Sequence, residues 1–412
     1  MLDAYVYDVV RTPRGRVRRD GGALAGVPAH ELVGQLMHAL DERCELARGA
    51  ARVDEVILGV STITGEQAGN VARSAAIWAG WPDDLSGTVV GRLCCSGLDA
   101  LAAAAAQVSA GTAGLVAAGG VESMSRVPMM SDRPGIAYDE ELAERTGFVT
   151  IGVSADATAA VAGLQRAELD AYGLRSHQRA AAAWTGGHFA PSVVAVQGPG
   201  GEVLLERDDA IRAAMTLADF EAMPLLFPDD AQAHGRVGRR LPELGDFPPV
   251  HTAACAPQIV DGASLALIGN LEMSQALQRA PRARILATAT AAVRSPLLTA
   301  TIGAIRRALA MAKLTPSDID IVEANESFSA SPLLVQREFG FADAILNVDG
   351  GAVSMGHPLG ASGGILLATA LDALERTGGR YGLLTIPAAL GLGTAIVIER
   401  LDEQSPLPAA QS

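Results

Sequence analysis

The feature that most constrains this chain is a repeat of order and spacing. Asp318 follows Asp54 by 264 positions, and His357 follows Cys94 by 263. Around each pair the same succession recurs: helical stripe, short apolar run, Gly- or Ser-rich turn, second helix, second apolar run. In the first copy, residues 31–40 put Leu32, Val33, Leu36, Met37 and Leu40 on one helical face. Residues 56–58 read as a strand, 98–109 as an Ala-rich helix, and 114–118 as a buried strand ending at Gly119-Gly120. In the second copy, 302–314 reads as a helix and 319–323 as a strand. The turn 350–364 then feeds a helix over 365–375 and a strand over 381–386. Helices alternating with apolar strands predict an α/β fold, here built twice.

The stretch between the copies is different. Residues 125–251 hold charge clusters, including the basic run 236–240, and the sequence Phe247-Pro248-Pro249. So long an excursion predicts an inserted loop domain that covers a site made by the two halves. The expected division is 1–124 with 252–281 as the first half, 125–251 as the insert, 282–400 as the second half, and 401–412 as a polar tail.

Composition narrows the function. The 32 Lys and Arg against 46 Asp and Glu leave a net charge of −14, which argues against a nucleic-acid surface. Hydrophobic residues reach 49% and charged residues only 19%, so a large core is expected rather than disorder. The uncharged run 100–121 is long enough to raise a membrane question, but Gly111, Thr112 and Gly114 divide it into a helix and a strand; no membrane span is expected. Asp3 and Asp8 interrupt the first apolar stretch, so no signal peptide is read there. Cys44, Cys94, Cys95 and Cys255 form no CxxC pattern, which predicts neither a disulfide framework nor a zinc site. The expectation is a cytoplasmic protein. No metal, flavin or nicotinamide motif appears, so no cofactor is expected.

The chemistry concentrates in three segments. In Gly91-Arg92-Leu93-Cys94-Cys95-Ser96-Gly97-Leu98, small residues allow a tight turn into a helix, and Ser96 is placed to cap it. A cysteine at a helix N-terminus faces the positive end of the dipole, which favours thiolate, and free N–H groups there can stabilise an oxyanion. Of seven histidines, His357 alone is set in a Gly- and Pro-rich turn, between Gly356 and Pro358. Glu323-Ala324-Asn325-Glu326-Ser327-Phe328 lies at the end of a predicted strand, where sites gather. Cys, His and Asn brought together form a set for acyl transfer through a thioester.

At these residues the sequence resembles the thiolase family, and the resemblance runs over nearly the whole chain. It is carried, in order, by Arg11-Thr12-Pro13, Gly65-Glu66-Gln67-Ala68-Gly69-Asn70, the Cys94 turn, Gly119-Gly120-Val121-Glu122-Ser123-Met124-Ser125, Asn325-Glu326-Ser327-Phe328 and Gly356-His357-Pro358. Arg175-Ser176-His177-Gln178-Arg179-Ala180 and Asp261-Gly262-Ala263 add weaker matches. The resemblance implies duplicated α/β/α/β/α layers with a loop domain, and cofactor-free C–C bond chemistry on acyl-CoA thioesters, in lipid metabolism, by a homodimer or homotetramer. It implies that Cys94 is acylated, that His357 activates it and lines an oxyanion hole, and that Asn325 contributes to that hole by holding a water. Glu326 and Asn347 stand behind them, and Cys95 fills a position the family gives to a small residue.

The sequence also departs from the family. Thiolases carry a second cysteine in a Cys-x-Gly-x-Gly turn that shuttles the proton of the attacking acyl-CoA. The corresponding stretch here is Leu384-Thr385-Ile386-Pro387-Ala388-Ala389-Leu390-Gly391-Leu392-Gly393, which places Pro387 at the cysteine and Ala389 at an oxyanion-hole glycine. Asp349 stands at a usual Asn close to His357, and Pro257 at a Ser that contacts the CoA arm. Thr150-Ile151 replaces the His-Met of acetoacetyl-specific enzymes, so an acetyl-specific reading is not supported. The resulting expectation is an acyl-CoA C-acyltransferase working through acyl-Cys94 by Claisen condensation or thiolysis, modified or decarboxylative because Pro387 cannot act as a base. The alternative is a non-catalytic subunit that binds acyl-CoA or a partner enzyme.

Overall fold

The computed structural model describes residues 3–402 apart from 20, 47, 48, 229 and 295, so the tail expected over 401–412 falls almost wholly outside the described residues. The duplication is visible in the strand order. In the first half, counted from the centre of the molecule, the strands are Ala4–Arg11, Val260–Gly269, Leu115–Ser123, Glu55–Gly59 and Ser86–Val90. The second half repeats this with Ala283–Ala292, Leu392–Arg400, Tyr381–Ala388 and Ile321–Ala324, and a single bridge from Val322 to Leu346 stands at the fifth place. The pairing senses repeat as well, antiparallel near the centre and parallel at the rim. The two sets join where Ala4–Val6 pairs antiparallel with Ala283–Ile285.

Burial then dictates the layers. Helices Ala29–Cys44 and Val71–Trp78 cover the outer face of the first set, and Ala300–Ala312 and Ala330–Phe339 cover that of the second. Helices Ser96–Ala110 and Ser362–Thr377 lie between the sheets in one core with Val6, Ile57, Ile268, Leu384 and Ile398. This is the expected α/β/α/β/α arrangement. The uncharged run that raised the membrane question supplies one of the central helices. The two central helices start against each other. A Cβ on Gly363 would lie 2.0 Å from the Leu98 nitrogen, and one on Gly97 2.5 Å from the Gly360 carbonyl. Only glycine lets these backbones meet.

One local expectation needs correcting. Gly119 and Gly120 do not end their strand, which runs on to Ser123. They are there because other backbones pass close: a Cβ on Gly119 would meet Ser264 O at 2.0 Å, and one on Gly120 would meet Gly360 O at 2.0 Å.

Candidate active site

Cys94 sits in the turn between strand Ser86–Val90 and helix Ser96–Ala110. Leu93 takes a left-handed φ of 50°, which turns the chain sharply before the helix begins. The Cys95 N–H donates to Arg92 O at 3.0 Å and the Ser96 N–H to Leu93 O at 3.1 Å. The Ser96 hydroxyl donates to Leu93 O at 2.6 Å and accepts from the Arg92 N–H at 2.8 Å. Ser96 therefore ties the turn instead of capping the helix, and these two N–H groups do not face the reacting sulfur.

Burial works against the thiolate expectation. Burial pushes the Cys94 thiol up to about 12, and the charge of Glu122 acts in the same direction. Such a rise corresponds to about 4 kcal/mol. A helix terminus supplies only about 0.3–1 kcal/mol in the other direction. Burial and the Glu122 charge both favour the thiol form. Cys94 is partly exposed and lines a cavity.

His357 is buried in the turn before helix Ser362–Thr377. Gly356 before it has φ 97°, and a Cβ there would lie 2.2 Å from Val260. Nδ1 is 2.7 Å from Ser362 Oγ, and Nε2 is 3.5 Å from Asn325 Nδ2. The Asn325 amide also donates to Ser327 Oγ at 2.9 Å, so it presents N–H to the ring. Nε2 is then the acceptor, and the ring proton sits on Nδ1, donated to Ser362. Burial lowers the His357 pKa to about 3, with the Arg14 guanidinium acting in the same direction. Arg14 Nη1 donates to Gly356 O at 3.1 Å. Cys94 and His357 are thus both pushed toward their neutral forms.

Buried carboxylates brace these turns. Glu122 accepts from the N–H groups of Ser61, Thr62 and Gly360 and from Gln67, tying the first half to the His357 turn. Glu326 accepts from Tyr172, Ser176 and the Val353 N–H, while Asn347 bonds both ways with the Ala324 backbone. Glu326 and Asn347 therefore brace the turn that carries Asn325. Asp349 does not reach His357: it pairs with Arg376 at 2.9 Å and His188 at 2.7 Å, joining the insert to a central helix. Sequence reasoning missed Glu122, Arg14 and Ser362 as parts of the site. Glu122 and Arg14 lie inside or beside matched motifs, which was the available signal.

Cys94 and His357 open onto one cavity of about 840 Å³, with Ser327, Phe328, Pro257 and Ala389 on the same walls. The facing wall comes from 125–251, including Met129, Tyr138, Phe148, Thr150, Phe227 and Arg236. Asn325 lines a smaller cavity behind His357. Pro387 is buried at the end of its strand, opposite Gly393, and its carbonyl is 3.5 Å from Ser327 Oγ. Its missing N–H falls beyond the last pair with the neighbouring strand, Ala324 with Thr385, where a proline is tolerated. The next turn holds Leu390 at φ 63° and Gly391 at φ 68°.

Residues 4–236 match the thiolase N-terminal domain and residues 279–400 the thiolase C-terminal domain. The beta-ketoadipyl-CoA thiolase of Pseudomonas putida is 36% identical over 97% of this chain and 100% of its own. The 3-ketoacyl-CoA thiolase of Pseudoalteromonas translucida is 34% identical over 98% of this chain and 100% of its own. The crystal structure of the Bacillus anthracis acetyl-CoA acetyltransferase superimposes with a TM-score of 0.82 at 29% identity, covering 97% of this chain and 99% of that one. The chain belongs to the thiolase family. It is an acyl-CoA C-acyltransferase, and the reading as a non-catalytic subunit is not favoured.

In this thiolase the turn that resembles the second-cysteine loop departs from Cys-x-Gly-x-Gly at two places. By that resemblance Pro387 stands at the cysteine position, and Ala389, at the glycine position, lines the cavity. Leu390 adopts a left-handed conformation that costs a side-chain-bearing residue about 1–2 kcal/mol.

Proposed function

We propose that this enzyme transfers an acyl group from a 3-oxoacyl-CoA or acyl-CoA thioester to Cys94 and from there to an acceptor, with no metal or organic cofactor. The observation that carries the reading is the neutral Cys94–His357 pair facing one large, mostly apolar cavity. As the sulfur attacks the thioester carbon, His357 Nε2 takes its proton. The carbonyl electrons move to an oxygen held by N–H groups, and collapse expels the CoA thiolate, which recovers the proton from His357; with a 3-oxoacyl-CoA the sulfur attacks the 3-oxo carbon instead, and the carbanion that leaves takes up that proton. A resting thiol suits this sequence, because the imidazolium forms only while negative charge is present to pair with it.

The cavity supports an apolar acyl chain. Met129, Phe148, Phe227 and Phe328 dominate its walls, and Arg236, the cation among the described lining residues, is engaged by Glu144 and by Phe148 O. A terminal carboxylate such as that in the names of the beta-ketoadipyl relatives would find no free cation there. Pro387 cannot abstract the α-proton of a second acyl-CoA, so acylation and carbanion formation are uncoupled, or the carbanion arises by loss of carbon dioxide. We place the enzyme in the cytoplasm as a homodimer or homotetramer; the edge strand Ser86–Val90, half-exposed beside the Cys94 turn, is available to a second copy.

Mass spectrometry after incubation with an acyl-CoA tests the reading. An acyl adduct is expected on Cys94 in the parent and none in Cys94→Ser, whose alcohol needs far more activation. An adduct on Cys95, or one that persists in Cys94→Ser, would overturn it.

A further inference from the structure

We infer that Glu323 is a positioning residue for His357, acting through a single water held between its carboxyl and Ser362. Glu323 lies on strand Ile321–Ala324 with its side chain in the interior and is 2% exposed. Its Oε1 is buried with no hydrogen-bond partner. An orphaned carboxyl oxygen of this kind is costly unless something outside the side-chain inventory satisfies it. The small cavity behind His357 answers that need. It measures about 10 Å³, room for one water. Glu323, Ser362, Asn325, Arg14 and Thr369 all line it, and these give a water the polar partners it requires.

The consequence runs to the catalytic ring. Ser362 Oγ is 2.7 Å from His357 Nδ1. A serine hydroxyl can either donate to Nδ1 or accept from it, and only the second choice puts the ring proton on Nδ1 and leaves Nε2 unprotonated, able to take the Cys94 proton. With a water beyond it, Ser362 sends its O–H into the cavity and turns a lone pair to Nδ1–H. Glu323 holds that water from the other side.

Burial, together with the charges of Asp349 and Glu326, raises the Glu323 pKa well above the carboxylate range, while Arg14 and Arg179 oppose. Each of these opposing cations has another partner: Arg14 is paired with Asp208, and Arg179 with Asp343. Glu323 is therefore pushed toward its neutral acid form, in which it can donate to the water as a glutamine would.

The inference rests on His357 serving Cys94, and the experiment separates the two. In single-turnover acylation, Glu323→Leu should slow adduct formation on Cys94 by about tenfold to a hundredfold at unchanged KM, as a misoriented base does. Glu323→Gln should restore the parent rate. The losses in Glu323→Leu and Ser362→Ala should not add in the double variant, because both break one chain. Additive losses, or Glu323→Gln failing as badly as Glu323→Leu, would overturn the inference and leave the Cys94 reading intact. A parent protein that forms no Cys94 adduct would sink both. Should Glu323→Leu fail to fold, infrared difference spectra of the parent against Glu323→Gln decide the protonation. A protonated-carboxyl stretch lost on substitution supports the chain, and its absence from the parent overturns it.

Discussion

The turns that carry Cys94 and His357 occupy equivalent places in the two halves, each ahead of a central helix, yet they are built in opposite electrostatic settings. Glu122 stands by Cys94 and Arg14 by His357. Each charge has the sign that resists ionisation of its neighbour: the carboxylate opposes a thiolate, and the guanidinium opposes an imidazolium. Burial acts the same way on both. A thiolate–imidazolium pair is thus disfavoured from both sides, and the site stores its proton on sulfur until an acyl carbonyl arrives. The duplicated scaffold supplies equal positions; the charges around them set the order of events.

The largest expected effect tests that neutral pair directly. Only thiolate is nucleophilic. Alkylation of the ligand-free enzyme by iodoacetamide at Cys94 should therefore rise about tenfold for each pH unit from 6 to 9, following a thiol titrating well above that window. A rate already flat near pH 6 would mean an ion pair at rest and would break the contrast between the two turns. Next in size is His357→Ala, which removes the proton acceptor. Acylation of Cys94 should slow by at least about a hundredfold, the scale of a lost general base or oxyanion donor. Near-parent acylation would reduce His357 to a structural residue.

Much of this was legible in the sequence, for identifiable reasons. The repeat from Cys94 to His357 shows because both turns need small residues where the central helices meet, as the Gly97–Gly363 approach requires. Glu326 shows because it lies beside Asn325 in a motif. What the sequence hid depends on distance in space. The Cys94 pKa follows from burial and from Glu122, which the chain places 28 positions away. Ser96 reads as a helix cap, but its hydroxyl finds nearer partners in the preceding turn. Asp349 reads as a neighbour of His357, yet Arg376 and His188 draw it away. The Gly119-Gly120 pair reads as a strand end because glycine has two uses, turning a chain and letting another pass, and only the neighbour distinguishes them.

The smallest expected effect concerns Pro387. General-base catalysis typically contributes about 10²–10⁴-fold. The parent enzyme should therefore acylate Cys94 readily while exchanging acetyl-CoA methyl protons with deuterated water slowly. Pro387→Cys should speed that exchange, but by only about tenfold, short of the full contribution of a base. The reason lies in the turn that follows. Pro387 is buried opposite Gly393, while the strained Leu390 sets the path by which residue 389 reaches the cavity wall. A new thiol would stand on a loop shaped without it. Adding Leu390→Gly, which releases a left-handed position held at about 1–2 kcal/mol, should bring a further gain, as should Ala389→Gly. Fast exchange in the parent would show that another group already serves as the base, and the uncoupling of the two half-reactions would be withdrawn.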